Sequence, residues 1–368
     1  MPFTRTLEEL RARRATAGPR KAVVGLDGFV DTIVTPVGQR RAAGEDFTPI
    51  PTITEFGRRI LGAAGKSTNL ELHPRWEKLG GNGPIMAGAL LANGCHLTCI
   101  GAFGQSQIHP VFSPLAGAAR LVSLCDPART TAIEFTDGKL MLGIMRSLDE
   151  VTYERICTAM GEAELVQEVG TADLVALLNW TMVPNMTAIY TAFADRVLPL
   201  LPDRDRLFFF DLADPEKRSA ADLRAALAAI ARFGASGRVT LGLNLKEAHA
   251  VSAALGLGMA GEDEPAVRAM ALAIGQKLPV TTVVIHLTAA AACATGGDTF
   301  WMPGPYLAQP LITTGAGDHF NAGFATGQLL GLSPSACLGL GVGTSGYYVR
   351  TARSPSLDEL ETFLANRL

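Results

Sequence analysis

The sequence predicts an α/β fold in which a mostly parallel central sheet is covered by helices on both faces. Short apolar runs alternate with segments of helical pattern along most of the chain, as is typical of parallel strands joined by right-handed helical crossovers. The runs are apolar throughout, as expected for strands buried on both faces. Hydrophobic residues make up 48% and charged residues 18% of the 368 residues, which excludes a disordered chain and a coiled coil.

The individual elements follow from apolar runs that are separated by Gly, Pro, Asn and Asp. We expect buried strands at residues 21–26, 96–101, 173–178, 206–211, 238–243 and 281–287. We expect helices at residues 83–93, 185–200, 220–233 and 265–278, after Asn244, and from Gly315 to the C-terminus. Residues 306–312 look extended. The basic run Arg11–Arg14 belongs to an N-terminal helix, and we expect its charged face to lie in solvent.

Two segments do not fit this alternation. Residues 32–56 look extended and are interrupted by prolines, and residues 130–146 carry two alternating runs around Asp137-Gly138, which is a strong hairpin signal. Together we expect them to form a small antiparallel β lid beside the main sheet. The sequence contains no internal repeat and no low-complexity linker, so we predict a single domain over residues 1–368.

Composition narrows the possible partners and the compartment. Lys and Arg number 32 against 35 Asp and Glu, a net charge of −3, so the chain has no general attraction for nucleic acid or an anionic membrane. None of the six cysteines forms a Cys-x-x-Cys pair, and we interpret them as reduced core residues. The sequence has no apolar leader and no apolar run of about 20 residues. We therefore expect a cytoplasmic protein.

The sharpest chemical signal is the segment 313–318, Thr-Thr-Gly-Ala-Gly-Asp, just before an apolar helix. The small residues Gly315, Ala316 and Gly317 leave backbone N–H groups bare at the helix N-terminus, where such donors and the helix dipole bind phosphate. Asp318 lies in the first turn and, as an anion, is unsuited to bind phosphate itself. It is placed to accept the proton of a hydroxyl that attacks the phosphate.

This segment, together with Phe320 and Gly323, resembles the C-terminal signature of the PfkB, or ribokinase-like, carbohydrate kinases. In that family the Asp is the catalytic base and the preceding glycines form an anion hole, so the resemblance implies these roles for Asp318 and for residues 315–317. Matching order and spacing extend over about residues 21–365. The resemblance implies a ribokinase-like three-layer sandwich, with ATP and Mg²⁺ as cofactors.

A second motif, Asn-Leu-Lys-Glu at residues 244–247, follows the strand predicted at 238–243. It resembles the family's Asn-x-x-Glu motif, which implies that Asn244 and Glu247 help to hold Mg²⁺ and phosphate, largely through water. Mg²⁺ prefers hard oxygen ligands and keeps several of its waters. The resemblance also places Thr313 near the nucleotide phosphates. On its own, Asn-x-x-Glu is by default a helix cap followed by a surface glutamate.

Residues 80–87 (Gly-Gly-Asn-Gly-Pro-Ile-Met-Ala) resemble the family's N-terminal signature, a Gly-Gly loop that opens a helix beside the sugar. The resemblance implies that Gly81 contacts the acceptor. The family has an Asn at the position of Ile85, and Asn82 is the candidate to supply the missing polar group. A Gly-Gly turn without a ligand role is the alternative.

The end of the first predicted strand carries two further candidate acceptor ligands, Asp27 and Asp31. Ligands of open α/β sheets bind beyond the C-terminal ends of the strands, and the family carries here an Asp that binds substrate hydroxyls. Asp31 is the best match to that position and Asp27 the second. Gly25-x-x-Gly28 lacks the third glycine and the following helix of a dinucleotide-binding fingerprint.

Three positions depart from the family pattern. Ile85 cannot hydrogen-bond, which predicts weak use of plain ribose. Ile312 stands where an Asp commonly helps to bind a monovalent cation, so we expect activity nearly independent of K⁺. Residues 286–292 replace a glycine-containing turn near the nucleotide by Thr288 and alanines, which adopt positive φ less easily than glycine. We therefore expect a loop of another shape there.

Other polar positions favour a structural interpretation. Asp211 and the following loop to Arg218 are explained as well by a capped loop as by a site. We interpret His249 and His286 as structural because neither has a ligand-spaced partner, and we assign no role to His319, which follows the candidate base.

The sequence therefore predicts an ATP-dependent kinase that transfers the γ-phosphate to a hydroxymethyl group of a sugar or sugar-like acceptor. The alternatives are a nucleoside kinase and a non-catalytic sugar or nucleotide sensor of the same fold. The presence of Asp318 behind an intact 315–317 run favours the kinase. The expected partner is a small sugar or nucleoside, without nucleic acid or membrane, and an exposed lid edge would suit a homodimer.

Overall fold

Fourteen strands form two sheets in the computed structural model, which describes residues 3–367. The strands are β1 (Lys21–Gly25), β2 (Phe29–Arg40), β3 (Phe47–Pro49), β4 (Leu72–Gly80), β5 (His96–Gly101), β6 (Arg120–Ser123), β7 (Ala128–Phe135), β8 (Gly138–Ile144), β9 (Leu174–Leu177), β10 (Leu207–Asp211), β11 (Arg238–Asn244), β12 (Thr282–His286), β13 (Ala290–Thr295) and β14 (Asp298–Pro303).

The larger sheet has nine strands in the order β14-β13-β12-β11-β10-β9-β1-β5-β6. All pairs from β6 to β12 are parallel, while β13 and β14 add an antiparallel hairpin at one edge. The chain moves outward from β1 through β5 to β6 and then returns to the other side of β1 with β9. Ligand sites of such sheets lie at this kind of switch point, beyond the C-terminal ends of the strands.

Thirteen α-helices are described. They are α1 (Thr4–Arg14), α2 (Ile53–Leu61), α3 (Asn82–Ala92), α4 (Ser113–Ala116), α5 (Tyr153–Met160), α6 (Glu162–Thr171), α7 (Met186–Ala192), α8 (Ala220–Ala231), α9 (Leu245–Ala254), α10 (Glu264–Lys277), α11 (Ala316–Leu329), α12 (Pro334–Thr351) and α13 (Leu357–Ala365). Side chains cap several of them; Ser219, for example, forms a reciprocal capping box with Asp222 at the start of α8, which satisfies N–H groups that the helix leaves free.

Two hydrophobic cores lie on opposite faces of the larger sheet. In β10, Phe208 and Phe210 belong to the core beneath α5 to α10. Leu207 and Phe209 belong to the core beneath α1, α3 and α11 to α13. This alternation follows from the two-residue period of a strand, and it produces the three layers of the fold.

The smaller sheet consists of β2, β3, β4, β7 and β8 and is called the lid below. β2 pairs antiparallel with β4 and parallel with β7, β8 pairs antiparallel with β7, and β3 extends the pairing at the far end of β2. Val34, Ile50, Phe56 and Ile133 form a small core between this sheet and α2. Because β2 follows β1 after only a short turn, the lid starts directly at the switch point.

Most predicted elements are confirmed within one to three residues, including the hairpin turn before Gly138, where Phe135 pairs with Gly138. Some details were wrong. The two predicted lid segments pair parallel with each other, β2 against β7, and not antiparallel. Residues 53–56, predicted to be extended, begin α2, which Thr52 caps by accepting the Glu55 N–H. Residues 306–312 are irregular and form no strand. The lid also contains β4, and the sheet contains β6 and the β13–β14 hairpin, none of which the sequence pattern predicted.

The basic face of α1 is not simply solvated. Arg11 forms an ion pair with Glu361 (2.7 Å) and Arg14 one with Asp358 (2.5 Å), so both arginines join α1 to α13. The six cysteines are free thiols; five are buried, as predicted, whereas Cys157 is partly exposed. Within residues 3–367, no helix combines the length and the apolar character needed to cross a membrane.

Candidate functional site

The candidate site lies where the parallel strands end, at the N-terminus of α11. Gly315 is the N-cap residue, with a φ of 93°, a conformation that glycine adopts without a steric penalty. The Ala316 N–H donates to the Thr313 carbonyl over 3.1 Å, whereas the N–H groups of Gly315, Gly317 and Asp318 have no acceptor within residues 3–367. Of the three amides predicted to be bare, only that of Ala316 is engaged. The free donors and the positive end of the helix dipole suit an anion.

Asp318 lies in the first turn of α11, and only 9% of its surface is exposed. Burial raises its pKa well above the ordinary range of an aspartate, and the charges of Asp211 and Asp27 raise it further. A carboxylate with a raised pKa is a stronger base than a free one. The position predicted for the base is therefore desolvated and adjacent to the free amides.

Asp27 is fully buried and is held by three donors. Its carboxylate accepts the N–H groups of Asn82 (2.9 Å) and Gly83 (2.8 Å) and the Asn179 side-chain amide (2.6 Å). Burial raises its pKa to about 6, although these donors favour the charged form. Asp27 thus joins the end of β1 to the N-terminus of α3, so it positions the 80–87 loop, and Asp31 is the better candidate for contact with an acceptor.

The position of the Asp27 carboxylate explains why the 80–87 loop has glycine at positions 81 and 83. A side chain at Gly81, whose φ is 97°, would place its Cβ 2.8 Å from Asp27 Oδ2, and one at Gly83 would lie 2.8 Å from Asp27 Oδ1. Asn82 directs its side-chain amide toward Asp211 over 3.4 Å. The loop therefore presents the Asn82 side chain to the Asp211 carboxylate.

Asp211 at the end of β10 is 5% exposed and accepts from the Asn321 side chain (2.8 Å) and the Ala213 N–H (2.9 Å). Burial raises its pKa well above the usual range, and the neighbouring Glu247 carboxylate adds to the effect. Together with Asp27, Asp318 and Glu247, it forms the floor of the site, a name used below for these four buried carboxylates.

Asn244 and Glu247 form a reciprocal capping box at the start of α9. The Glu247 N–H donates to Asn244 Oδ1 (3.0 Å), and the Asn244 N–H donates to Glu247 Oε2 (2.8 Å). Glu247 Oε1 accepts the Asp214 N–H over 2.8 Å. The helix-cap interpretation is thus correct, but the glutamate is buried, 2% exposed, and burial raises its pKa.

The floor of the site fits a magnesium ion that keeps its water shell. Asn321 Oδ1 is buried without a partner among the described residues, and both Glu247 oxygens already accept backbone N–H groups. No three His, Cys, Asp or Glu side chains within residues 3–367 converge closely enough to ligate a metal directly. Hard oxygen donors that contact the ion through water are the arrangement expected for Mg²⁺.

Asp31 lies in β2 on the lid and is 4% exposed. It is in register with Lys78 of β4 and Thr130 of β7. Burial raises its pKa, while the charges of Lys78 and Lys139 act in the opposite direction. Lys139 of β8 also donates to Thr313 (3.4 Å) and to Thr314, so the lid reaches the segment before α11 with positive charge.

A cleft of about 780 Å³ runs beside α11, and none of the acceptor candidates Asp31, Gly81 and Asn82 lines it. Its wall includes the predicted residues Asn244, Thr313, Ala316 and Gly317. Most of the remaining lining is apolar and comes from the loop after β12, from residues 304–310 and from α12, while Lys246 and Glu262 add charged groups. A mostly apolar cleft that ends at free amides fits a nucleotide whose phosphates point toward α11.

The departures from the family pattern have structural counterparts. Ile85 is 8% exposed, and its Cγ2 would lie 3.2 Å from a Cβ at Gly315. It therefore packs against residues 313–317 before α11, which are called the anion-binding loop below. Leu287 donates to the Ala290 carbonyl over 2.8 Å, which closes a tight turn through Thr288. None of the residues 286–290 has a positive φ, so this turn needs no glycine.

Sequence reasoning underestimated Asp211 and did not identify Lys139 or His286 as site residues. His286 lines the cleft, and its Cε1 would lie 3.1 Å from a Cβ at Gly317; burial lowers its pKa to about 4. The carboxylate that ends a buried strand at Asp211 was a usable signal. No local pattern marks Lys139, because only the lid pairing places it near residue 313.

Comparison with protein families gives one description that covers almost the whole chain. Residues 5–367 match the family described as prokaryotic ketohexokinase. A ketohexokinase from Haloferax volcanii is 27% identical over 350 residues, which span 95% of this chain and 92% of that protein.

Solved structures of similar fold include sugar kinases. Arabidopsis thaliana ribokinase in complex with ribose and ATP superposes with a TM-score of 0.65 at 16% identity, covering 95% of this chain and 99% of that chain. Thermotoga maritima ribokinase gives a TM-score of 0.61 at 18% identity, covering 95% and 100%. These similarities confirm the predicted ribokinase-like sandwich.

Proposed function

Because this chain belongs to the prokaryotic ketohexokinase family and is a carbohydrate kinase, we propose that it transfers the γ-phosphate of ATP to a hydroxymethyl group of a ketohexose. The acceptor oxygen attacks the γ-phosphorus and forms the new P–O bond. The bond between that phosphorus and the β,γ-bridging oxygen breaks, ADP leaves, and the hydroxyl proton passes to Asp318.

The observation that carries the proposal is the position of Asp318 directly behind the free amides of Gly315 and Gly317. A base and an anion-binding loop on one helical turn bring the attacking hydroxyl and the transferred phosphoryl group together. Burial of Asp318 raises its pKa, and the raised pKa favours proton transfer from the alcohol.

The nucleotide would occupy the cleft beside α11, with Thr313 and Asn244 near its phosphates. Mg²⁺ would be held through water by Asn244 and Glu247, together with Asp211, and it would neutralise phosphate charge during transfer. Lys139 would add positive charge from the lid side.

The acceptor would lie between the lid and the 80–87 loop. Asp31 is the candidate to bind its hydroxyls, with Gly81 and Asn82 on the opposite side. The contact between Asp31 and this loop supports the assignment, since a Cβ at Gly80 would lie 2.5 Å from the Asp31 carboxylate. Hydrogen bonds to a buried carboxylate are also strong. Ile85 gives this end an apolar surface where a polar contact would favour ribose.

The test is an ADP-release assay with fructose, ribose and adenosine as acceptors, followed by identification of the phosphorylated position. We expect fructose to be the best acceptor and the product to carry its phosphate on a hydroxymethyl group. Adenosine as the best acceptor would make the chain a nucleoside kinase. Tight binding without ADP release would make it a sensor.

A further inference from the structure

Two aromatic side chains stack behind the anion-binding loop, and the proposed mechanism gives them no role. The rings of His319 and Tyr348 lie 3.6 Å apart, with 14° between their planes. His319 is 2% exposed and Tyr348 is 7% exposed. His319 is the residue after the proposed base, and Tyr348 comes from α12, so the pair joins α11 to its neighbouring helix.

Both side chains bind carbonyl groups of the loop. Tyr348 Oη donates to the Thr314 carbonyl over 2.9 Å. His319 Nδ1 lies 2.7 Å from the Gly315 carbonyl, and Nε2 lies 2.9 Å from Ser354 Oγ. Because a carbonyl only accepts, Nδ1 carries the proton, and Nε2 accepts from the serine. Burial lowers the His319 pKa to about 4, so this neutral form is the stable one.

The Tyr348 bond determines where the free Gly315 amide points, and the His319 bond fixes the next peptide group, whose Ala316 N–H donates to Thr313. A peptide unit is planar, and in the trans form its C=O and N–H point in opposite directions. The bond from Tyr348 to the Thr314 carbonyl therefore directs the Gly315 N–H away from α12. A Cβ at Gly315 would lie 3.2 Å from Tyr348 Oη and 3.2 Å from Ile85 Cγ2, so the loop has little room to move on either side.

We propose that His319 and Tyr348 are positioning residues that hold the Gly315 amide in the orientation needed to bind the transferred phosphate. This inference rests on the proposed function, in which that amide contacts the phosphoryl group. The two residues touch neither phosphate nor acceptor; they act through the carbonyl groups of Thr314 and Gly315.

The test uses single-atom changes with matched controls. Tyr348→Phe keeps the ring stack and removes only the hydroxyl; Tyr347→Phe, on the next residue, removes a hydroxyl that donates to Glu359 over 2.9 Å, away from the loop. We expect Tyr348→Phe to lower kcat about tenfold to hundredfold, with both KM values changed less than about threefold, because small misplacement near the reacting atoms costs on that order. Tyr347→Phe should leave kcat within about twofold.

Substitutions of His319 separate its two ring nitrogens. His319→Asn keeps a nitrogen at the Nδ1 position and can still donate to the Gly315 carbonyl. His319→Gln places its nitrogen near the Nε2 position and loses that bond. We expect His319→Asn to retain at least about five times the kcat of His319→Gln. Equal kcat values, or the reverse order, would overturn the role of the Gly315 bond.

A second measurement does not depend on turnover. Hydrogen–deuterium exchange of the Ala316 and His319 amides, which bond to Thr313 and Gly315, reports opening of the loop. We expect exchange at least about tenfold faster in Tyr348→Phe and unchanged in Tyr347→Phe. Unchanged exchange in Tyr348→Phe would overturn the inference even if the wild type is an active kinase. Faster exchange in Tyr348→Phe, together with a wild-type protein that phosphorylates no sugar, would support the positioning role and show the proposed function to be wrong.

Discussion

The floor of the site and the lid differ in how they are packed. The floor carboxylates are at most 9% exposed, and backbone or amide donors hold them from several elements. The lid instead exposes large apolar side chains, including Trp76 (57%) and Ile144 (71%) at the two outer strands. The floor is therefore enclosed by protein, while part of the lid surface meets solvent. In the proposed function the floor holds the base and the lid holds the candidate acceptor ligand Asp31. Changes to the floor should act on kcat, and changes to the lid on acceptor preference.

The largest effect is expected on the floor. Asp318→Asn keeps the size of the side chain and removes the proton acceptor. Since general base catalysis contributes about 10²–10⁴ in rate, we expect kcat to fall in that range. Calorimetry should show nucleotide affinity within about threefold of wild type, because the amides remain. A variant with more than about half of the wild-type kcat would remove Asp318 from the mechanism.

A lid change should show the opposite kinetic pattern. Asp31→Ala removes the carboxylate expected to bind acceptor hydroxyls. We expect the acceptor kcat/KM to fall about tenfold to hundredfold, as for the loss of about 1–3 kcal/mol of hydrogen bonding, while the KM for ATP is unchanged. Asp298→Ala, which changes an exposed aspartate at the start of β14, is the control. If Asp31→Ala raised the KM for ATP instead, Asp31 would belong to the nucleotide side.

Ile85 lies between the two regions and should change specificity. Ile85→Asn adds a polar group at the acceptor end but removes apolar packing against Gly315. We expect the ratio of kcat/KM for ribose to that for fructose to rise about fivefold to tenfold, since one hydrogen bond contributes on the order of 1 kcal/mol. Ile85→Val, which adds no polar group, should leave the ratio unchanged. Ribose as the best wild-type acceptor would contradict this reasoning.

The buried charge of the floor should reduce stability at high pH. The folded-state pKa of Asp211 is raised, so folding takes up protons, and the free energy of unfolding falls as pH rises through the raised pKa. Asp211→Asn removes that charge, and Asn321 Oδ1 is free to accept from the new amide. We expect urea unfolding to show stabilisation of about 1 kcal/mol at pH 8 and less at pH 5. A larger gain at pH 5 would reverse the sign of the argument.

The smallest effect concerns potassium. Ile312 supplies no carboxylate, and the carbonyl groups of Thr314 and Gly315 already accept from Tyr348 and His319. Exchange of K⁺ for a bulky organic cation at constant ionic strength should therefore change turnover by less than about twofold, because no full negative charge faces the ion there. Stimulation by K⁺ of tenfold or more would show that a cation site persists.

The sequence predicted the floor better than the lid for a physical reason. Asp318 and its glycines lie on one helical turn, so local spacing encodes their geometry. The strands β5 and β10 were predicted correctly because they are buried on both faces and therefore appear in the sequence as apolar runs. The lid depends on pairing between distant segments, and β4 (LHPRWEKLG) has the mixed polarity of a half-exposed strand. Lys78 and Lys139 reach the site only through that pairing, so no short motif marked them.

Asp27 shows a second limit of predicting the site from the sequence. Its identity and position suggested a substrate ligand, but the α3 amides that hold it are separated from it by more than fifty residues of chain. Conversely, Glu247 was predicted from a motif whose default interpretation, a helix cap, is also correct. One residue can serve both as a cap and as part of an acidic site, because a carboxylate has lone pairs for more than two donors.

β2 runs without interruption from Phe29 beside the floor to Arg40 at the far rim of the lid. At about 3.3 Å per residue, the length of strand from Gly28 is about 10 Å to Asp31 and about 40 Å to Arg40. A rigid rotation of the lid about Gly28 would therefore displace the rim about four times as far as the acceptor carboxylate. In such a rotation the rim would open the entrance for exchange of a sugar, while Asp31 would stay close to the position from which it engages the next acceptor.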